Sequence, residues 1–136
     1  MPKTFTSVVF GALSVGLVLG FTACGGGGKS YSLESTSSCL TAVGGFDVST
    51  SADDLDYIAQ DASGGALTAD INGDRVVVAF GGSSADGQRM EATYKMFAAG
   101  FGVPVSDILA RHGNAVVSWD NTPAQNQATA VAECLK

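Results

Sequence analysis

Histidine is almost absent from this chain of 136 residues: His112 is the only one. That removes paired-histidine metal sites and most triad chemistry at the outset. Cations are scarce as well, with 7 Lys and Arg against 13 Asp and Glu and a formal net charge of −6. Nucleic-acid surfaces need basic patches, so neither nucleic acid nor an added attraction to anionic lipid fits this balance. Cysteine is rare and odd in number, at three. Long uncharged apolar runs are missing except at one place, the amino terminus.

There the chain opens MPK, a short basic start, and residues 7–23 (SVVFGALSVGLVLGFTA) run without a charge. The run falls short of the roughly 20 residues of a comfortable membrane span. Gly11, Gly16 and Gly20 interrupt it. A basic start, an apolar run and small residues at the end describe an export signal.

Residues 23–30, ACGGGGKS, admit a second reading as a phosphate loop. Gly28, Lys29 and Ser30 fit the end of G-x-x-x-x-G-K-[ST], and Asp120 after AVVSW offers a Walker B acid. Ala23 stands where the first glycine belongs. The stretch after Lys29, SYSLESTSS, reads as a poor helix opening, whereas a phosphate loop leads directly into a helix. No bound nucleotide or other cofactor is expected.

The residues GFTAC resemble a bacterial lipobox, the cleavage site of lipoprotein signal peptides. Cys24 matches the cysteine that such proteins lipidate, and Ala23 the small residue before it. Phe21 stands where Leu, Val or Ile is usual. Ordinary signal-peptidase cleavage after Ala23 is the rival reading. The resemblance implies a signal peptide over 1–23, a lipidated Cys24 with a Gly/Ser-rich tether over 24–34, and a folded domain over 35–136. It also implies an extracytoplasmic protein held at the outer face of the cell membrane, or at an outer membrane in a two-membrane cell. Two acyl chains suffice for stable anchoring.

With Cys24 assigned to lipid, Cys39 and Cys134 remain, and an exported compartment permits them to form a disulfide. Two buried free thiols are the alternative. Removing residues 1–23 from the 136 leaves 113, enough for one modest domain with a net charge of about −7 once Lys3 is gone.

Within that domain, TSSCLTAV at 36–43 predicts a short helix and FDVS at 46–49 a strand. SADDLDYIAQDASGG predicts a helix capped by Ser51, with Leu55, Ile58, Ala59 and Ala62 on one face. ALTADI-NG-DRVVVAF predicts two strands around a type I′ turn at Asn72-Gly73. Its register places Ile71 opposite Asp74, Asp70 opposite Arg75, Ala69 opposite Val76 and Leu67 opposite Val78. A helix follows over 84–101 with Met90, Tyr94, Phe97, Ala98 and Phe101 at helical spacing. SDILARHG predicts another, capped by Ser106 and stopped at Gly113. NAVVSWD predicts a strand, and Thr122, Pro123 and Gln125 a capping box for a final helix.

The order predicts an α+β fold, a ferredoxin-like βαββαβ plait with extra terminal helices clipped by the disulfide and one sheet face left open. The mature chain is also similar to small lipoproteins of high-GC Gram-positive bacteria, on Cys24 with its glycines, DLDYIAQDASGGAL, GNAVVSWD and ECLK. That resemblance implies a compartment and no activity.

No residue is assigned a catalytic, cofactor-binding or metal-binding role. His112 is read as a helix C-terminal cap. Asp53, Asp54 and Asp56 are read as first-turn acids of a helix, with Asp61 further along it, and DINGD as a hairpin rather than a calcium loop. The expected function is a membrane-anchored, non-enzymatic module that binds an envelope protein or polymer through the open sheet face or an edge. The alternative is a small extracytoplasmic hydrolase or ligand-binding enzyme whose acids and His112 converge in space.

Overall fold

The computed structural model describes residues 29–43, 45–102 and 104–136. The expected signal peptide and Cys24 lie outside the described residues. The chain forms α1 (Leu33–Ala42), β1 (Asp47–Ser49), a 3₁₀ turn (Ala52–Asp54), α2 (Tyr57–Gln60), β2 (Ala66–Ile71) and β3 (Asp74–Phe80). It continues with α3 (Ser84–Gly100), a second 3₁₀ turn (Val105–Asp107), β4 (Leu109–His112), β5 (Ala115–Trp119) and α4 (Gln125–Glu133). The fold is α+β. Its five strands lie in the order β1-β2-β3-β5-β4, and every neighbouring pair is antiparallel.

The β2–β3 hairpin has the register its sequence predicts, from Ile71 opposite Asp74 to Leu67 opposite Val78. Asn72 and Gly73 both take positive φ, 53° and 86°, as a type I′ turn requires. Alternation then sorts the side chains. Leu67, Ala69, Val76, Val78 and Phe80 join Leu40 of α1 and Val131 of α4 in the larger core. Ala66, Val77 and Ala79 point the other way, toward Ala59, Leu55 and Met90. Helices therefore cover both faces, α1 and α4 on one and α2 and α3 on the other. This corrects the expectation of an open sheet face.

The ferredoxin-like order is not the one adopted. A plait places the first strand between the third and the last, whereas here β1 pairs with β2 and β5 lies beside β3. The reason is composition. A central strand must be apolar on both faces, and Ala115 to Val117 meet that demand by being buried throughout. Strand β1 is three residues long and carries Asp47 and Ser49 on one face, so it belongs at an edge.

Four helix predictions also shift. Residues 105–112 form a 3₁₀ turn and strand β4 instead of a helix. Gly113-Asn114 is the two-residue loop of a β4–β5 hairpin, with φ of +55° at Gly113, a Gly-first pattern suited to a type II′ turn. The 51–65 helix reduces to the turn at Ala52–Asp54 and the four residues of α2, capped by Asp56 rather than Ser51. The stretch after Lys29 does open a helix: the Ser32 hydroxyl caps α1 by accepting from Ser35 N. At the other end α4 starts after Ala124, whose N–H donates to Gln127 Oε1 at 2.9 Å, two residues beyond the predicted box.

Cys39 and Cys134 form a disulfide, with Cα atoms 5.6 Å apart and 95 residues between them in sequence. It ties the last turn of α1 to the end of α4 over the larger core. That core, the sheet and the bridge all lie within residues 29–136, so this stretch folds as a unit.

Candidate functional site

His112 ends β4 instead of capping a helix, and it is half-buried. Burial holds its imidazole below the usual range, because desolvation penalises the cation. Among the described residues it makes no side-chain hydrogen bond and no ion pair. Its neighbour Arg111 instead donates from Nε to Glu91 Oε2 at 2.7 Å and from Nη1 to Gly113 O at 3.0 Å. The acids and His112 are not brought together, so a general-base arrangement has no geometric basis here.

Because the His112 pKa is depressed, the unfolded chain takes up the proton at a higher pH than the folded one, so the unfolding free energy falls as pH drops from about 7 through the ordinary histidine range near 6.5. His112→Gln should flatten that part of the curve in denaturant titrations at pH 7.5 and pH 5.5. An unchanged slope would mean the loss comes from other groups. Glu91 acts lower on the scale: its hydrogen bond to Lys95, assisted by Arg111 and opposed by burial, holds its carboxyl below the usual range.

A polar depression lies on the smaller-core face of β1–β3. Asp47, Asp70 and Arg75 stand side by side across three strands, and Ser49, Asp54 and Thr68 complete its lining. Ser49 Oγ donates to Asp54 Oδ2 at 2.7 Å. Arg75 beside Asp70 offsets the repulsion between the facing carboxylates of Asp47 and Asp70. Among the described residues no group of three or more His, Cys, Asp or Glu is placed to hold a metal ion.

Asp56 and Tyr94 form the more constrained polar pair. Asp56 caps α2 by accepting from Ala59 N at 2.8 Å. It also accepts from the Tyr94 hydroxyl, with Oδ2 at 2.8 Å and Oδ1 at 2.9 Å. This bond crosses from α3 to α2 over 38 residues of sequence. Burial raises the Tyr94 pKa far above the phenolic range, and the nearby Asp56 charge adds to it. Tyr94→Phe should therefore cost about 1.5–3 kcal/mol, the scale of a hydrogen bond to a charged acceptor. Denaturant unfolding of the two proteins would show it; a difference below a few tenths would mean that water replaces the phenol without loss.

The pair floors an apolar groove between α2 and the C-terminal half of α3. Tyr57, Ile58 and Phe97 line one stretch of it, and Met96, Gly100 and Phe101 continue it around the end of α3. Helical spacing in the sequence marked Phe97 and Phe101 for the core. They are instead largely exposed, although on one side they line a small apolar pocket with Val105, Ile108 and Leu109. Trp119, by contrast, is buried against the larger core.

Lys29 and Ser30 lie ahead of α1 in no helix or strand, so neither sits in the first turn of a helix as a phosphate loop would place it. The Lys29 carbonyl packs against Gly113, and Asn114 fixes Tyr31, two residues further on. Asn114 Oδ1 accepts from Tyr31 N at 2.6 Å, while Nδ2 donates to Tyr31 O at 2.9 Å and to Gly81 O at 2.8 Å. Gly87 of α3 packs on the same turn, where a Cβ would come within 2.8 Å of Gly113 O. Sequence reasoning missed this junction; the Gly-Asn pair between two apolar runs was its one signal.

Compared with protein-family models, with curated proteins and with solved structures, the chain matches none.

Proposed function

We propose that the protein is an envelope lipoprotein, anchored through Cys24 and acting as a non-enzymatic binding module. The observation that carries the reading is the Cys39–Cys134 disulfide, since such bridges persist in oxidising, extracytoplasmic compartments. The basic, apolar start ending in GFTAC and the glycines after Cys24 supply the matching export and anchoring signals. The resemblance of Cys24 with its glycines, DLDYIAQDASGGAL, GNAVVSWD and ECLK to small lipoproteins of high-GC Gram-positive bacteria supports the same compartment, and the proposed partner is an envelope protein or polymer. With both sheet faces covered by helices, binding falls to the helix surfaces and to the edge strands β1 and β4.

Intact mass of the protein extracted from its native membrane, without reductant, tests the anchor. The expected mass begins at Cys24, carries diacylglyceryl and acyl groups, and is two hydrogens short of the reduced chain. A mass beginning at Met1 with no lipid would end the anchored reading. Crosslinking in intact membranes tests the module: a reproducible partner is expected, and its repeated absence with folded protein would count against binding.

A further inference from the structure

We propose that the groove between α2 and the C-terminal half of α3 docks an amphipathic segment bearing basic residues. Four of the largest apolar side chains meet there in solvent: Tyr57 is 76% exposed, Met96 73%, Phe97 53% and Phe101 80%. At about 150–250 Å² per aromatic ring, these fractions leave roughly 400 Å² of apolar surface uncovered. That is the size of the largest patch on a typical monomer, which is often a site of interaction. Ile58 and Tyr94 form the floor, and the Tyr94–Asp56 bond holds the two walls in register.

Charge selects the occupant. Asp56 lines the groove, and Asp61 follows Tyr57 by four residues, on the same side of that turn. Among the described residues no cation pairs with either. The end of α3 adds to this field. It is a helix of 17 residues with no basic residue in its last turn, so its C-terminal dipole is uncompensated at the groove. The nearby Lys95 is already paired to Glu91. An apolar surface bordered by Asp56, Asp61 and the C-terminal end of α3 fits leucine-like anchors flanked by Lys or Arg, in the manner of helix-in-groove recognition. The same field opposes a second copy of this acidic chain, and it opposes an anionic bilayer.

The proposal rests on reading the domain as a binding module, and its test does not depend on the anchor. The probe is a 14-residue Leu/Lys peptide with leucines at helical spacing, titrated into disulfide-intact residues 29–136. A Leu/Glu peptide and a Ser/Lys peptide of equal charge serve as controls. Fluorescence anisotropy gives affinity and amide chemical shifts give location. Binding of Leu/Lys alone is expected, with shifts centred on α2 and the last two turns of α3. Phe101→Ser should weaken it at least fivefold. Asp61→Asn should weaken it two- to fivefold and flatten its salt dependence.

Equal affinity for Ser/Lys would reduce the effect to bulk charge, and equal affinity for Leu/Glu would remove the charge selection; either overturns the proposal. So would shifts centred on Asp47 and Asp70, a dimer that buries Phe101 without peptide, or a preference of the groove for lipid vesicles. Failure here leaves the lipid mass and the crosslinked partner as they were, so the broader reading stands or falls separately.

Discussion

Reduction of the Cys39–Cys134 bridge should lower the unfolding free energy by about 4 kcal/mol. A cross-link spanning 95 residues removes that order of loop entropy from the unfolded chain. For a domain of this size the shift corresponds to a fall in Tm of roughly 15–20 °C. The loss should be larger than for any single apolar truncation on the surface, because the bridge joins the two helices that close the larger core. Leu40 of α1 and Val131 and Leu135 at the far end of the chain meet there. Calorimetry with and without reductant, and of Cys39→Ser/Cys134→Ser, measures it. A fall of under 1 kcal/mol would mean that the reduced chain keeps the two ends together in its unfolded state.

Asn114→Ala should be the most damaging polar substitution, at about 2–4 kcal/mol. The side chain is buried, and removing it strands Gly81 O and both backbone groups of Tyr31. Each buried group left without a partner costs about 1–3 kcal/mol, moderated at Tyr31 by access to water. Asn114→Asp provides the sharper contrast. It keeps the shape and the acceptor for Tyr31 N but replaces two donors with an anion facing two carbonyls. It should be at least as destabilising as alanine. Denaturant unfolding ranks the three proteins, and hydrogen exchange at Tyr31 N reports whether the chain before α1 has come loose. If Asn114→Asp matched the wild type, the network would not be holding this junction.

The hairpin shows what was legible. Ile71, Asp74 and the Asn72-Gly73 pair are consecutive in sequence, and the turn chemistry acts only on those neighbours. Its register could be written down residue by residue. Residues 105–112 show the opposite case. Val105, Ile108 and Leu109 suit a helix or a strand, and the choice follows from β5, whose outer edge needs a partner. Ile108 O accepts from Trp119 N at 2.8 Å, and Leu109 to His112 continue that pairing. Nothing within SDILARHG encodes the existence of that edge.

The same distinction applies to the candidate groove. Tyr94, Phe97 and Phe101 carry one helical period, and period alone assigns them one environment. The structure separates them. Tyr94 is buried and bonded to Asp56, whereas Phe101, the residue that caps the C-terminus of α3, is left exposed. Asp56 was recognised as a first-turn acid, but its bond to a phenol 38 residues away depends on how two helices pack.

By itself the sequence determined the two-residue turn at Asn72-Gly73, the pairing of its strands, the α+β composition and the candidate bridge between Cys39 and Cys134. These follow from local backbone chemistry, from alternation along single segments and from the count of cysteines. Only the tertiary structure decided the strand order, the covering of both sheet faces, the Asn114 junction and the exposure of Met96, Phe97 and Phe101. Each of those depends on which segment wins a place beside another. That competition is settled by the apolar area that all segments bury together, a quantity no single stretch of sequence contains.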